Sequence, residues 1–319
     1  MLKSLKIENF KRFRELDFPQ LKRVNIIAGK NNTGKTGVLE ALLLLLEQGR
    51  GLAALPTAFR NCSNIGDKTE NFDKWLLRDR DTSRPVMVST STPELAAYSM
   101  ALTVGAVPPG FSVITASNSL TLSVRPETAK SALTLGAVAL SVRPSDPQKD
   151  AADYDRVVLK AGGEERLEGL LRKLEPRLKS IRSIRPHGAA LIYLDLGLKE
   201  KIPAVHLGQG FIRLLSIYSE LIASDKRVLL IDEVENGLHY SVLTEIWRGL
   251  LHAAEQEDVQ IFATTHSYEC IRAAHEAFAE TLDYDFALHR LEEVKGDIQV
   301  TTYDKETLET SLASNFEIR

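Results

Sequence analysis

The feature that most limits the fold of this chain is a glycine-framed octapeptide near its amino terminus, residues 29–36, which reads GKNNTGKT. It fits the pattern G-x-x-x-x-G-K-[ST], in which glycines let backbone N–H groups surround phosphate at the start of a helix. The apolar run VNIIAG leads into it, and an apolar stretch from Thr36 to Leu46 follows it. This order predicts a strand, a phosphate-binding loop (the phosphate loop) and a buried helix.

The chemistry of such a loop assigns roles to its last residues. Lys35 is expected to hold the β and γ phosphates of a nucleotide, and Thr36 to bind a magnesium ion. The alternative, a glycine-rich turn without a ligand, fits the flanking strand and helix less well. The residues of this region expected to bind nucleotide are Gly29, Asn31, Asn32, Thr33, Gly34, Lys35, Thr36 and Gly37.

A second apolar run, VLLIDE at 228–233, ends in two acids. A buried strand that ends this way delivers carboxylates to the edge of a parallel sheet. We expect Asp232 to contact magnesium and Glu233 to polarise the attacking water, because phosphoryl transfer depends on positioning and charge stabilisation. Alone, a strand ending in Asp-Glu is usually only a solvated strand end; together with the phosphate loop it predicts a catalytic site.

The next apolar run, VQIFATTH at 259–266, ends in His266. An isolated histidine is usually structural. This one follows the Asp-Glu pair at the end of what we expect to be a neighbouring strand, so we predict that it contacts a γ-phosphate oxygen.

The chain from Ala204 onward alternates short apolar runs with helical segments at 211–223 and 241–255, which is typical of a mostly parallel sheet flanked by helices. The first 18 residues alternate apolar and polar residues in two runs, which predicts N-terminal antiparallel strands. The fold class is therefore α/β.

The middle of the chain, from about residue 51, is rich in Ser, Thr and Pro and contains β-like runs, among them 85–92 and 156–162. We interpret it as an inserted segment. Apolar residues from Glu164 to Ile184 have helical spacing, which predicts a helix that Pro176 kinks or splits. Six basic residues lie between Arg172 and Arg185, together with one acid, Glu175.

Composition places limits on location and partners. The 319 residues are 44% hydrophobic, enough for a large core. The two cysteines match no disulfide or zinc pattern and no secretion signal precedes the first strand, so we expect a cytoplasmic protein. The longest aliphatic stretch, 41–46, is too short for a membrane span. A formal charge of −3 neither indicates nor forbids nucleic-acid binding.

Five segments, LKIENFKRF, GKNNTGKT, LGQGFIRLLSIYSEL, LLIDEVENGLHY and ATTHSYE, together resemble the ATPase domain of the OLD and RecF-like ABC proteins, which are related to SMC proteins. The resemblance covers residues 1–46 and about 203–319. It implies an ABC-ATPase head that binds ATP and Mg²⁺. We expect one such domain over residues 1–319, with an insertion of strands and helices at about 51–200.

The same resemblance implies a head-to-tail dimer, in which the phosphate loop of one subunit faces the signature segment of the other. That role falls on residues 207–213, LGQGFIR (the signature segment), where Gly208 and Gly210 would meet the partner's γ-phosphate. Residues 235–239 resemble the segment that lines the same interface. Lys11 and Arg12 match basic residues that lie near the nucleotide in related heads; a solvated charged turn is the alternative.

The chain departs from the family pattern in two places. Gln209 stands inside the signature segment where an acidic or serine residue is common. No glutamine occurs between Gly49 and Pro147, where ABC ATPases carry one that senses magnesium. Either Gln48 serves, or an acid near Trp75 substitutes, the candidates being Asp73, Asp79 and Asp81.

Two functions follow from the resemblance. In the first, an ATP-gated homodimer or higher homo-oligomer controls a separate effector protein, a nuclease or toxin-like partner, as in bacterial antiphage defence. The chain shows no Toprim nuclease of its own, so the second activity is expected from a partner. The second is a RecF-like repair ATPase that binds DNA through the basic region 172–185. A GTPase is disfavoured because no Asn-Lys-x-Asp element follows a strand.

Overall fold

The computed structural model describes residues 1–59, 75–93, 98–103, 110–115, 118–120, 135–142, 146–186, 188–314 and 316–319. Its central sheet has six strands in the order β15-β14-β3-β13-β12-β8, all parallel except β15, which runs antiparallel to β14. The strands are β3 (Val24–Gly29), β8 (Ala137–Leu140), β12 (Val228–Ile231), β13 (Gln260–Thr265), β14 (Phe286–Val294) and β15 (Asp297–Tyr303).

The apolar runs VNIIAG and VLLI became strands whose every residue is buried. Alternate side chains enter two hydrophobic clusters, one on each face of the sheet. Leu229 and Ile231 face one cluster, while Val228 and Leu230 face the other. Burial on both faces explains why these strands are continuously apolar.

An antiparallel sheet (the N-terminal sheet) covers one face. Its order is β2-β1-β4-β5-β6-β7. The strands are β1 (Ser4–Phe10), β2 (Phe13–Phe18), β4 (Val86–Ser91), β5 (Tyr98–Thr103), β6 (Gly110–Thr115) and β7 (Asn118–Leu120). Apolar residues of β1 and β2 enter the cluster shared with the first helix, so the alternation in the opening residues is confirmed as an antiparallel pair.

The described part of the fold has eight α-helices, which are α1 (Lys35–Glu47), α2 (Gly49–Ala58), α3 (Pro147–Val158), α4 (Gly163–Arg172), α5 (Gln209–Ala223), α6 (Leu243–Gln256), α7 (Tyr268–Ala279) and α8 (Lys305–Ala313). Residues 37–46 of α1 are all buried because the helix lies between the two sheets. The side chains of α5, α6 and α7 pack in the cluster on the other face. The α/β fold with a mostly parallel sheet is confirmed.

A small third sheet, β11-β10-β9, follows α4. Its strands are β9 (Ser180–Ile184), β10 (Leu191–Asp195) and β11 (Ile202–Pro203). The single helix expected from Glu164 to Ile184 is therefore wrong. The helix ends at Arg172, since a proline at 176 cannot continue it, and Ile181 and Ile184 lie on a strand.

The β-like reading of residues 156–162 is also wrong, because Arg156 to Val158 end α3. Asp146 caps this helix by accepting from the backbone N–H of Gln148, and Pro147 occupies the first turn. These start signals outweigh the β propensity of two adjacent valines.

The segment from 51 to 200 is built into both larger sheets. It supplies β4–β7 to the N-terminal sheet and the edge strand β8 to the central sheet. Its status as an insertion and the division into domains stay predictions. Among the described residues, no helix is long and apolar enough to cross a membrane.

Candidate functional site

The phosphate loop connects β3 to the first turn of α1, as the sequence predicts. Gly29 has φ 149° and Gly34 has φ 95°, conformations that favour glycine. A Cβ on Gly29 would lie 2.6 Å from the carbonyl oxygen of Leu291, and one on Gly34 would lie 2.7 Å from the ring of Phe13. The loop therefore needs glycine at both positions for space as well as for backbone conformation.

Lys35 is folded back over the loop. Its Nζ donates to the carbonyl oxygens of Gly29 at 2.6 Å and Lys30 at 3.0 Å. Burial lowers the pKa of this amine, and the nearby carboxylates of Glu233, Asp232 and Glu235 oppose that shift. A cation at the mouth of the loop can bind an anionic group that arrives there.

Asp232 closes the site from the end of β12, which β13 separates from β3 in the central sheet. The hydroxyl of Thr36 lies 3.1 and 3.2 Å from its two carboxylate oxygens, and Thr264 on β13 donates to Oδ1 at 2.7 Å. Burial raises the pKa of Asp232, while these two hydroxyl donors lower it. The sequence analysis missed Thr264; its position two residues before His266 at the end of a buried strand was the available signal.

Glu233 and His266 lie together at the ends of β12 and β13. His266 Nδ1 is 4.0 Å from Glu233 Oε1 and 3.3 Å from Glu235 Oε1. The backbone N–H of Glu233 donates to Thr264 Oγ1 at 2.8 Å, and its φ is 46°, in the left-handed region. One threonine thus holds both acids, which we call the carboxylate pair, Asp232 and Glu233.

A cleft of ≈ 870 Å³ opens over the phosphate loop and the carboxylate pair, while His266 is not among the residues that line it. We call it the ATP cleft, after the nucleotide that the sequence resemblance implies. The carboxylate pair lines it, and so do most of the predicted nucleotide contacts, namely Asn31, Asn32, Gly34, Lys35, Thr36, Gly37 and Arg12. Thr33 is instead buried, and its hydroxyl donates to the carbonyl oxygen of Lys30 at 2.9 Å. The loop, the acids and the basic hairpin therefore converge on one cavity.

The basic pair of the first hairpin is held by specific partners. Arg12 donates to the carbonyl oxygen of Asn32 and pairs with Glu293 at 2.7 Å. Lys11 pairs with Glu40, which is buried on α1 one turn after Thr36. Both basic residues line the ATP cleft, and Glu40 is a further group that the sequence analysis did not single out.

The signature segment begins α5, with Gly208 as its cap. A Cβ on Gly208 would meet nothing within 4 Å, whereas one on Gly210 would collide with the carbonyl oxygen of Gly237. Gly210 therefore packs against the chain's own segment 235–239, while Gly208 faces open space. None of the residues that line the ATP cleft comes from the signature segment.

Of the proposed substitutes for the missing glutamine, Gln48, Asp79 and Asp81 are not among the residues that line the ATP cleft. Gln48 is wrong as a magnesium sensor, because it is buried at the far end of α1, where its amide donates to Tyr98 Oη at 2.7 Å. Asp79 pairs with Arg78, and Asp81 accepts from the backbone N–H of Ser83. Asp73 lies outside the described residues.

The donor set nevertheless fits magnesium. Thr36 and Asp232 place a hydroxyl and a carboxylate side by side at the loop, and hard oxygen ligands of this kind are those that Mg²⁺ prefers. Across the described residues, no cluster of three His, Cys, Asp or Glu side chains could hold a metal alone.

Comparison with known proteins finds ATPase-type domain models over two parts of the chain. Residues 1–90 match the family model described as "AAA ATPase domain", and residues 117–272 match "AAA domain, putative AbiEii toxin, Type IV TA system". A Helicobacter pylori protein named "ATP/GTP phosphatase" is 24% identical over 338 residues, with 90% of each chain covered.

Solved SMC heads share the fold. The SMC head domain from Thermotoga maritima superposes with TM-score 0.54 at 14% identity, covering 95% of this chain and 99% of that one. A Pyrococcus furiosus Smc head bound to the C-terminal domain of ScpA superposes with TM-score 0.62 at 11% identity. An SmcHead bound to the C-winged helix domain of ScpA superposes with TM-score 0.61 at 13% identity. Both superpositions cover 98% of this chain and 99% of the other.

The chain is therefore an ATPase with the fold of an SMC or ABC ATPase head. The matches to AAA-type domains carry the activity, and the SMC heads carry the fold alone. The finer resemblance to OLD and RecF-like proteins stays a prediction.

Proposed function

We propose that the ATP cleft binds ATP with magnesium and hydrolyses it. The observation that carries this proposal is the contact of the Asp232 carboxylate with the Thr36 hydroxyl, with Glu233 and His266 at the adjoining strand ends. A phosphate loop that faces a carboxylate pair has the parts needed for positioning and charge stabilisation in phosphoryl transfer.

Each side chain then has a distinct task. Lys35 exchanges its two carbonyl acceptors for phosphate oxygens, which stabilise its charge better than neutral oxygens do. Thr36 and Asp232 would hold magnesium, which would neutralise charge on the phosphates when bound. Glu233 orients the attacking water, and His266 donates to the oxygen on which charge develops.

The signature segment acts in trans. Gly208 is open to solvent and lies outside the lining of the chain's own ATP cleft, so a second copy is needed to bring a signature segment to the γ-phosphate. A two-fold axis forms two such sites at once. We infer a homodimer that closes around two ATP molecules and opens after hydrolysis.

The closing dimer is proposed to control a separate effector, a nuclease or toxin-like protein. Two of the SMC heads with this fold were solved bound to a domain of ScpA, and one matching domain model carries the description of a toxin system. Heads of this shape thus serve as platforms for partner proteins in other systems.

Binding of DNA is the weaker alternative. Its main support was the basic run at 172–185, but the structure pairs three of its arginines with acids: Arg172 with Glu168, Arg177 with Glu175, and Arg182 with Glu164. A neutralised surface attracts phosphate less. ATP turnover that duplex DNA stimulates in a salt-dependent manner would favour this alternative over the effector.

Two substitutions test the proposed chemistry. Glu233→Gln should retain ATP but lose turnover, because the amide keeps the shape of the side chain and cannot accept a proton from water. Lys35→Ala should lose both binding and turnover. ATP binding and phosphate release are measured separately, and parental hydrolysis by Glu233→Gln would show that the base is misassigned.

A further inference from the structure

Arg213 is a buried cation that none of the chemistry above uses. It lies in the second turn of α5, five residues after Gly208, with a relative exposure of 9%. A buried charge is costly unless other groups compensate it. Burial lowers the pKa of Arg213 to about 10, while Asp232, Glu235 and Glu233 oppose the shift. At neutral pH the guanidinium therefore stays charged beside the site.

The guanidinium joins two strand ends. Nη2 donates to the backbone carbonyl of Asp232 at 2.7 Å, and Nη1 donates to the backbone carbonyl of Ser141, which follows β8. Asn236 also holds this second segment, since its side chain donates to the carbonyl of Val142 at 2.9 Å. Arg213 thus ties the helix that starts at the signature segment to the strand end that carries the carboxylate pair.

The first turn of the same helix packs closely against the 235–239 segment. Gly210 lies against the carbonyl of Gly237 so closely that a Cβ would collide with it. A shift of the signature segment toward residues 235–239 must therefore displace them, and a shift of the helix also acts on the Asp232 carbonyl through Arg213. Glu233 is the next residue, and its left-handed φ of 46° makes its position sensitive to the peptide before it.

We propose that Arg213 is a positioning residue that transmits the state of the signature helix to the carboxylate pair of the same subunit. In the proposed dimer, the signature segment of one subunit contacts the nucleotide of the other. Each active site then responds to the nucleotide bound at the opposite site. The structure supplies the contiguous contacts that such coupling requires, and both ends of the link belong to elements that nucleotide binding biases.

This inference rests on the proposed dimer, and its test uses the full chain. Arg213→Ala should lower kcat about tenfold and bring the Hill coefficient for ATP from above 1 to 1, with the affinity of the monomer for ATP nearly unchanged. A purely structural arginine would lower stability without changing cooperativity. Arg172→Ala is the matched control, because Arg172 also donates to two backbone carbonyls but lies on α4.

A rescue experiment and a second variant separate loss of the Arg213 contacts from failure to fold. Arg213 lines a cavity of ≈ 360 Å³ beside α5, so free guanidinium at millimolar concentration can enter the space left by Arg213→Ala. It should restore part of kcat, and neutral urea of the same shape should not. If Arg213→Ala does not fold, Arg213→Lys keeps the charge but cannot reach both carbonyls in the planar geometry of a guanidinium, and it should lose cooperativity in the same way.

A variant with the parental Hill coefficient, or a parental protein whose Hill coefficient is 1, would overturn the coupling. The two proposals fail differently. A parental protein without an ATP-dependent dimer fails the proposed function, whereas a normal dimer with unchanged cooperativity in both Arg213 variants fails this inference alone.

Discussion

Thr264→Val offers a quantitative test of how the carboxylate pair is held. The substitution keeps the shape of a fully buried side chain and removes one hydroxyl. That hydroxyl donates to Asp232 Oδ1 at 2.7 Å and accepts from the N–H of Glu233 at 2.8 Å. A buried polar group that loses its partner costs roughly 1–3 kcal/mol, and a charged one costs more. Two such groups give a loss of about 3 kcal/mol at neutral pH.

The loss should depend on pH. Burial already raises the pKa of Asp232 above its value in the unfolded chain, and the Thr264 hydroxyl opposes that shift. Ionising Asp232 therefore reduces stability as pH rises from its unfolded pKa, about 3.9, through its folded pKa. Without the hydroxyl the folded pKa is higher still, so the penalty grows by about 1.4 kcal/mol for each unit of added shift. The variant should be more destabilised at pH 8 than at pH 4.5.

Urea unfolding of both proteins at the two pH values, without nucleotide or magnesium, measures this difference. Thr90→Val is the matched control, because the Thr90 hydroxyl is buried and donates to the neutral carbonyl of Ser4 at 2.6 Å. Thr90→Val should lower the free energy of unfolding by about 1 kcal/mol, and by the same amount at both pH values. A Thr264→Val loss that is independent of pH, or no larger than that of Thr90→Val, would refute the assigned role of the hydroxyl.

Three other predictions test separate parts of the site. Gly34→Ala places a Cβ 2.7 Å from a buried aromatic ring and should weaken nucleotide binding at least about tenfold in a fluorescent-nucleotide titration, whereas Gly169→Ala, in open space, should not. Gln48→Asn should leave the magnesium concentration for half-maximal turnover unchanged, while Asp232→Asn should raise that concentration about tenfold or more. A raised magnesium requirement in Gln48→Asn would instead identify Gln48 as a magnesium sensor. Gly208→Trp should abolish ATP-dependent dimerisation in sedimentation without weakening ATP binding to the monomer, and equal loss of both would contradict a contact in trans.

The sequence was most informative where local pattern and chemistry agree. The phosphate loop needs glycine at fixed positions between a strand and a helix, so its motif specifies both chemistry and fold. A continuous apolar run that ends in Asp232 and Glu233 leaves few alternatives to a buried parallel strand. The position of His266 near Glu233 was predicted in the same way, because parallel strands end at one edge of a sheet, while its contact with phosphate stays a prediction.

Prediction from the sequence failed where tertiary contacts determine the local structure or the role of a side chain. Leu178 and Ile181 continue a helical spacing, yet the chain turns after α4 and Ile181 enters a strand. The role of Thr264 depends on the register between β12 and β13, which a single sequence does not reveal. Glu40 shows the same difficulty, since its partner Lys11 lies on a hairpin 29 residues earlier.

The proposal that nucleotide closes a dimer is tested most directly by light scattering of Glu233→Gln. This variant should bind ATP without cleaving it, so that the γ-phosphates keep joining two subunits. With ATP and magnesium, the account predicts a species of twice the 35.4 kDa chain mass, and without either it predicts the single chain. One unchanging mass under all of these conditions, with ATP shown to be bound, would contradict it.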